Sequence, residues 1–292
     1  MAKGPLVVAV CTNRSPAEAA ESLQALAEQG AAGRIAVVTS GLRAETAAAH
    51  RSLAPGPVLE EARPGLSVAR NRALAWAPEG GALAFVDDDA VVETGWWDAL
   101  ERRWAEAGDD VGVIGGPIRP RWSVAPPAWI SDPILPALTL LDLGGAEREL
   151  DPALTTVYGA NISFAVGPLR RAGGFDSRYG HSGGRVFFSE EDQAQRALAR
   201  LGYRVVYAPD AAVRHVIPAE RLTRRALARR RFAYGRALGM RGGRSRSLAL
   251  RQLATSGPGA LVALLRGDQR RFMERAVRAA ENAGAATVRR RP

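Results

Sequence analysis

Short apolar runs alternate with helix-like patterns along the first 120 residues. The runs "LVVAV" (Leu6–Val10), "RIAVVTS", "PVLEEA" and "LAFV" (Leu83–Val86) are typical of buried strands. Between them lie the helical patterns "SPAEAAESLQALAEQG", "RAETAAAHRSLA" and "LSVARNRALAWA". Ser15, with Glu18 three residues later, predicts the start of the first helix, and Ser67 predicts the start of the third. The alternation predicts an α/β fold, in which helices cover both faces of a sheet.

The pattern loosens after Pro120. Residues 121–158 are rich in Pro, Trp and Leu and have no clean period, so we expect a long excursion from the sheet. Regular patterns return with a strand in "YGANISFA", helices in "PLRRAGGF" and "EEDQAQRALARLG", and strands in "YRVVYAP" and "AAVRHVI". From Glu220 onward the chain is helical and rich in arginine, with breaks predicted at "GGRSRS" and "TSGPGA".

The positive charge of the chain is concentrated in its last quarter. The net charge is +10, and residues 221–292 contain 19 arginines against three acids. The first 220 residues are therefore acidic overall. We divide the chain into an α/β domain at 1–220, with halves at about 1–120 and 121–220, and a basic helical extension at 221–292.

The single cysteine, Cys11, lies in an apolar run and is interpreted as a small buried side chain. One cysteine cannot form a disulfide within the chain, which fits a reducing compartment. The N-terminal sequence lacks a signal-peptide pattern, and no stretch approaches the roughly 18 apolar residues that a membrane span needs. We therefore expect a soluble, cytoplasmic protein.

Three consecutive aspartates, Asp87–Asp89, directly follow the predicted strand Leu83–Val86. Adjacent carboxylates repel one another, and burial raises the cost of each charge. In open α/β sheets ligands gather at the carboxyl ends of strands, and carboxylates are oxygen ligands suited to Mg²⁺ or Mn²⁺. A divalent cation would neutralise the repulsion between the carboxylates and would also bind a diphosphate. The alternative is a solvated acidic turn with an aspartate as a helix cap.

Four motifs follow one another along the chain: "EARPGLSVARNRAL", "FVDDD", "YGANISFAVGPLRRAGGFD" and "EEDQAQRALARLGYRVVYAPDAAVRHV". Together they resemble the family-two glycosyltransferases with a GT-A fold, over about Leu6 to Val216. The resemblance implies a mixed sheet flanked by helices, followed in this chain by the arginine-rich helical extension. It also implies an inverting enzyme that moves a sugar from a nucleotide-sugar donor to an acceptor hydroxyl, with Mn²⁺ or Mg²⁺ as cofactor.

The resemblance assigns a metal site. Asp87 and Asp89 match the two ends of the family's Asp-x-Asp motif, Asp89 as a direct metal ligand and Asp87 as a contact to metal or ribose. Asp88 fills the variable middle position, on the donor side. His215 matches a histidine that the family often uses as a third contact to metal or diphosphate, although a lone histidine is more often structural.

The resemblance also assigns a catalytic base. The acids of "EED" open a helix, whose dipole favours their ionised form. Counting back from Gly202 places Glu191 at the position of the base, with Asp192 as the second choice. N-terminal helix capping is the alternative role for these acids.

Further residues are assigned to the substrates by the same resemblance. Donor contacts are implied at the end of the first strand and in "RPGLSVARN": Thr12, Asn13, Arg14, Arg63, Gly65, Arg70 and Asn71. Contacts to the sugar or acceptor are implied at "GAN", "GGFD" and the loop before the base: Gly159, Ala160, Asn161, Asp176 and His181. Arg70 could equally be a surface residue of its helix, and Asp176 could cap its turn.

The second strand departs from the family pattern. It ends in Thr39 and Ser40, where the family usually carries an aspartate that contacts the nucleobase. This departure leaves the donor nucleotide open.

Two other functions fit parts of the sequence. A sugar-nucleotidyltransferase would need a glycine-rich phosphate loop after the first strand, but "CTNRSPAE" has no glycine. A nucleic-acid-binding protein would use the arginine-rich extension, but no recognisable motif accompanies it and residues 1–220 are acidic.

The expected partners are a nucleotide-sugar donor, a small-molecule, lipid-linked or glycan acceptor, and no nucleic acid. The extension at 221–292 also suits an anionic membrane surface. We therefore expect this protein to be cytoplasmic and able to associate with the inner face of the membrane.

Overall fold

The computed structural model describes residues 4–29, 33–177, 190–240 and 244–288, and the backbone alone at 180–182 and 185–187. The chain divides into two compact units. The first is drawn from Met1–Pro120, Leu141–Gly183 and Glu190–Val216, and the second from Arg121–Leu140, Gly184–Ser189 and Ile217–Pro292.

The strands in chain order are β1 (Leu6–Thr12), β2 (Ile35–Ser40), β3 (Val58–Glu61), β4 (Ala82–Val86), β5 (Ala90–Val92), β6 (Val111–Gly115), β7 (Ile118–Trp122), β8 (Arg148–Leu150), β9 (Asn161–Ala165), β10 (Gly180–Ser182), β11 (Arg185–Phe187), β12 (Arg204–Tyr207) and β13 (Val213–Ile217). The α-helices are α1 (Pro16–Glu28), α2 (Ala44–Ala49), α3 (Leu66–Trp76), α4 (Trp96–Glu106), α5 (Val166–Arg171), α6 (Glu190–Arg200), α7 (Arg224–Met240), α8 (Arg246–Leu265) and α9 (Gln269–Ala286).

The first unit is built on an eight-stranded sheet in the order β3-β2-β1-β4-β9-β6-β12-β8. β1 pairs in parallel with both β2 and β4, whereas β9 runs antiparallel between β4 and β6. The predicted α/β fold is thus confirmed, and the sheet is mixed, as the resemblance implied. A separate three-stranded sheet has the order β5-β13-β7.

Local sequence signals predict helix starts with mixed success. The carboxylate of Glu18 accepts hydrogen bonds from the backbone N–H and the hydroxyl of Ser15, at 3.0 and 2.7 Å, so the predicted start of α1 is confirmed. The predicted cap at Ser67 is wrong, because α3 begins at Leu66 and Ser67 lies buried within it. Gly65 occupies the N-cap position at φ 143°, a conformation that residues with side chains rarely adopt.

The excursion at 121–158 contains more regular structure than its sequence predicts. β8 adds an edge strand antiparallel to β12. A 3₁₀ turn at Asp132–Leu138 contacts α7 and α9, and Arg230 donates a hydrogen bond to the carbonyl of Ala137 at 2.9 Å. Residues 121–140 therefore belong with the C-terminal helices rather than with the first domain, to which the sequence assigned them.

The prediction of a break at "TSGPGA" is wrong, because α8 continues through it with Pro258 inside the helix. An interior proline costs about 3 kcal/mol, and packing of α8 against α9 offsets this cost. By length and composition α8 is also apolar enough to cross a membrane, although a core helix of a soluble protein passes the same test. The expectation that no stretch reaches that limit is corrected accordingly.

Candidate active site

Asp87–Asp89 connect β4 of the eight-stranded sheet to β5 of the three-stranded sheet. β5 pairs antiparallel with β13 in a register that sets Ala90 opposite His215. This pairing brings Nε2 of His215 within 3.1 Å of Oδ1 of Asp89. Ligand atoms of Asp87, Asp89 and His215 all lie within 4.8 Å of one another. The structure thus brings together the three residues assigned to a metal.

Asp88 is bound to the end of β1 instead. The hydroxyl of Thr12 donates to its Oδ2 at 2.6 Å, and Nε of Arg14 lies 3.7 Å from its Oδ1. Burial raises the pKa of Asp88 to about 6, although the Thr12 hydrogen bond and the charge of Arg14 act in the opposite direction. Asp88 thereby attaches the triplet to β1, which leaves Asp87 and Asp89 to group with the imidazole.

Arg14 neutralises part of the charge of the triplet. Its Nη2 donates to Oδ2 of Asp89 at 3.0 Å, and its side chain is 35% exposed. Thr12 and Arg14, both assigned to the donor, therefore lie beside the aspartates, and Asn13 between them is exposed.

The first turn of α6 supplies a second group of carboxylates, and each has a different environment. Glu190 is 2% exposed and accepts a hydrogen bond from Nη1 of Arg70 at 2.8 Å. Asp192 is buried and accepts one from the hydroxyl of Thr156 at 2.6 Å. The side chain of Glu191 is 18% exposed, and its Oε2 lies 3.6 Å from Nη1 of Arg70. Of these three acids, Glu191 is the one that a second molecule can reach.

Burial raises the pKa of Glu191 to about 8, and the charge of Glu190 adds to this effect while Arg70 opposes it. Burial also raises the pKa of Glu190, again against Arg70. A carboxyl group that titrates in this range can take up a proton at neutral pH, as a general base must. Its partial exposure and its raised pKa make Glu191 a candidate for that task.

Arg70 lies between the two groups of acids. Its Nη2 is 3.9 Å from Oδ1 of Asp87, and its Nη1 is bound to Glu190. The guanidinium carbon also lies 5.4 and 5.7 Å from the ring centroids of Phe85 and Phe175. Because Arg70 is 2% exposed, its guanidinium is a partner of the acids, and the alternative that it is a surface residue of its helix is wrong. Its contact with the donor stays a prediction.

Gly159 leaves room for this guanidinium, because a Cβ there would overlap Nη2 of Arg70 and stand 3.1 Å from its Cζ. We expect Gly159→Ala to lower the free energy of unfolding by about 1–3 kcal/mol, since overpacking displaces Arg70 from Glu190. Gly145→Ala is the matched control, because a Cβ there meets no described atom within 4 Å. Urea denaturation measures both variants, and equal losses would contradict the prediction.

Asn161, assigned to the sugar or acceptor, is a buried structural residue. Its Oδ1 accepts a hydrogen bond from the indole of Trp96 at 3.0 Å. Its Nδ2 donates to the carbonyls of Pro117 and Ala211, at 3.0 and 2.7 Å. Ala160 is buried as well. The predicted substrate roles of Asn161 and Ala160 are therefore wrong. The amide of Asn161 is hydrogen-bonded within the protein, and Ala160 is buried.

Asn71, assigned to the donor, holds the loop that follows α5. Its Nδ2 donates to the carbonyl of Phe175 at 2.7 Å, and its Oδ1 accepts from the N–H of the same residue at 2.9 Å. Asp176, next in the chain, is partly exposed and stays a candidate for the acceptor. The side chain of His181 lies outside the described residues.

Ser40 organises the segment that leads into α3. Its hydroxyl accepts a hydrogen bond from the N–H of Gly65 at 3.0 Å and donates to the carbonyl of Arg63 at 3.0 Å. The Arg63 side chain is exposed and pairs with Glu61, with Nε 3.0 Å from Oε1. Ser40 thus has a structural role at the position where the family usually carries an aspartate, and Thr39 beside it is buried.

Sequence reasoning missed two residues that organise the site. Glu190 was visible only as the first acid of three, and its partner Arg70 lies 120 positions away. Thr156, which binds Asp192, lies in a segment without regular pattern. Neither pairing leaves a signal at short range in the sequence.

Comparison with known proteins places this geometry in context. The chain resembles the crystal structure of GalNAc-T7 with UDP, GalNAc and Mn²⁺, with a TM-score of 0.56 and 14% identity over 81% of this chain and 47% of that one. It also resembles the structure of S. aureus TarS 1-349, with a TM-score of 0.52 and 16% identity over 95% of this chain and 90% of that one. A search of curated protein sequences found no match.

These structural similarities show the shared GT-A fold. The sequence family described as "Glycosyl transferase family 2" matches residues 6–167, which carry β1 through β9, the aspartate triplet and Arg70. Since this match covers more than half of the chain, the protein belongs to glycosyl transferase family 2.

Proposed function

We propose that the protein transfers a sugar from a nucleotide-sugar donor to the hydroxyl of a small-molecule, lipid-linked or glycan acceptor, with inversion at the anomeric carbon. The juxtaposition of two groups of acids across Arg70 supports this most directly. Asp87 and Asp89, with His215, suit a divalent cation that binds the donor diphosphate. The partly exposed Glu191 suits the acceptor.

Asp87, Asp89 and His215 would hold the cation. Their ligand atoms lie within 4.8 Å of one another, so small side-chain movements would bring all three to metal–ligand bonds of roughly 2 Å around one ion. Two carboxylates and an imidazole fit Mn²⁺, and the carboxylates alone fit Mg²⁺. Mn²⁺ in the GalNAc-T7 structure supports testing manganese first. A bound cation would offset the charge that develops on the departing nucleoside diphosphate.

Glu191 would act as the general base. Its carboxylate takes the proton of the acceptor hydroxyl, and the hydroxyl oxygen attacks the anomeric carbon opposite the diphosphate. The bond from that carbon to the diphosphate oxygen breaks as the new glycosidic bond forms, so the configuration inverts and a nucleoside diphosphate leaves. The N-terminal end of α6 and the charge of Arg70 both favour the ionised base. Asp192 is the second candidate.

Arg14 would contribute on the donor side. Its guanidinium is partly exposed and already lies 3.0 Å from Asp89, so it can share its N–H groups between the triplet and a phosphate oxygen. Ser40 carries no charge where the family has an aspartate, so the identity of the donor nucleobase has to be determined by experiment.

Thermal-shift measurements with UDP-, GDP- and dTDP-sugars, each with and without Mn²⁺, test the proposal. We expect at least one donor to raise Tm only when Mn²⁺ is present, by the equivalent of about 2.7 kcal/mol at one hundred times its Kd. A panel without any metal-dependent shift would contradict the proposal.

Asp89→Asn should abolish the metal-dependent part of this shift, because it removes one negative ligand beside His215. Asp98→Asn is the matched control, since Asp98 is an exposed acid in the first turn of α4. The control should keep the full shift. Retention of the shift in Asp89→Asn would show that the cation binds elsewhere.

A further inference from the structure

One side of α8 is apolar and exposed, and we call it the α8 face. Its five residues are spaced three or four positions apart, follow one stripe along the helix, and are all exposed: Leu250, Ala254, Pro258, Leu261 and Leu265. Leu261 is 57% exposed and Leu265 is 79% exposed. The opposite side is buried and consists of small residues: Ala249, Ala260 and Ala263. The helix is thus covered on one side only.

Arginines border the α8 face. Arg251 is exposed within α8, and Arg266 is exposed directly after it. Every charged residue of α8 is an arginine. An apolar stripe with a cationic border is the composition of helices that lie in the interface of anionic bilayers.

We propose that the α8 face binds the surface of an anionic lipid bilayer. The five apolar side chains enter the boundary between headgroups and acyl chains, and Arg251 and Arg266 contact lipid phosphates. α8 lies on the bilayer rather than across it, because its alanine side is buried within the second unit. The cytoplasmic leaflet carries the matching negative charge. This binding concerns the second unit alone and does not depend on the chemistry of the active site.

Co-sedimentation of the full chain with vesicles tests the proposal. We expect strong binding to phosphatidylcholine vesicles that contain phosphatidylglycerol and weak binding to phosphatidylcholine alone. The double variant Leu261→Gln/Leu265→Gln should reduce the partition coefficient at least about tenfold, because two leucines no longer leave water. Leu154→Gln is the matched control, since Leu154 is 85% exposed in the first unit, and it should bind as wild type.

A second variant tests the charge separately. Arg251→Gln/Arg266→Gln keeps the leucines and should lose about fivefold in binding per arginine, on anionic vesicles only. Circular dichroism establishes whether each variant is folded, and one folded variant is enough to test the proposal. Equal binding by wild type and a folded variant would overturn the proposal. So would a leucine variant that converts a dimer to a monomer in sedimentation velocity without changing vesicle binding, because the face would then join two copies of the chain.

Discussion

Replacing Glu191 by glutamine should lower kcat by about 10²–10⁴-fold, the usual contribution of a general base. The substitution keeps the size of the side chain but removes its ability to accept a proton from the acceptor. Donor binding should stay close to that of wild type, because the proposed cation ligands are untouched. Initial rates of nucleoside diphosphate release, with donor affinity from thermal shift, separate the two effects.

The pH dependence gives a second readout of the same residue. The pKa of Glu191 is raised to about 8 by burial and by Glu190, with Asp192 adding to the rise and Arg70 opposing it. In the proposed role the ionised carboxylate is the active form, so kcat/KM of the wild type should rise with pH and level off above about 8. Glu191→Gln should lose this rise.

Glu45→Gln is the matched control for Glu191→Gln. Glu45 is an exposed acid at the second position of α2, as Glu191 is the second residue of α6. The control should retain the wild-type rate and pH profile. If Glu191→Gln retains both as well, then Asp192 becomes the residue to test.

Arg70→Met should lower the free energy of unfolding by about 3–5 kcal/mol, the typical cost of removing one partner of a buried ion pair. The loss leaves Glu190 buried at 2% exposure without the guanidinium that binds it at 2.8 Å. Urea denaturation measures the change. Arg72→Met, an exposed arginine in the same helix, should change stability by no more than about 0.5 kcal/mol.

The deficit of Arg70→Met should depend on pH. Burial already raises the folded-state pKa of Glu190, and removal of Arg70 raises it further. A carboxyl group whose folded pKa exceeds its unfolded pKa is protonated in the folded protein at low pH. The free energy of unfolding then falls as the pH rises between the unfolded and the folded pKa. The deficit should therefore be smaller at pH 5 than at pH 8, and Glu190→Gln added to Arg70→Met should recover part of it. A deficit independent of pH and of Glu190 would show that Arg70 acts through packing alone.

The sequence predicts six of the eight strands of the larger sheet, because buried strands leave local patterns, but it does not predict β6 or β8. The resemblance to family-two glycosyltransferases is confirmed by the family match. Cys11 is partly buried against the core and not fully buried as the sequence suggests, and desolvation raises the pKa of its thiol to about 12, which keeps it protonated. The continuous α8 could not be predicted, because its glycines and Pro258 favour a break locally and only contact with α9 offsets them.

The acids of the candidate site can be predicted from the sequence, but the arginine between them cannot. Asp87–Asp89 and the acids of α6 stand out as charges next to strand and helix ends. Arg70 offers no such signal, since an arginine in a helix is usually a surface residue. Its burial follows from Glu190, which is distant in the sequence, and from the space that Gly159 leaves. Asn161 was misassigned for the same reason, because its partners come from three separate segments.

The pairing of β5 with β13 has a consequence for how metal affinity arises during folding. Successive residues of a strand point to opposite sides, so a slip of one residue in this pairing would turn the imidazole of His215 away from Asp89. A chain whose larger sheet has formed, but in which β5 and β13 have not yet paired, would have two of its three ligands in place. Tight binding of a cation at the proposed site would then report the last stage of folding in this region, after β4 has joined the larger sheet.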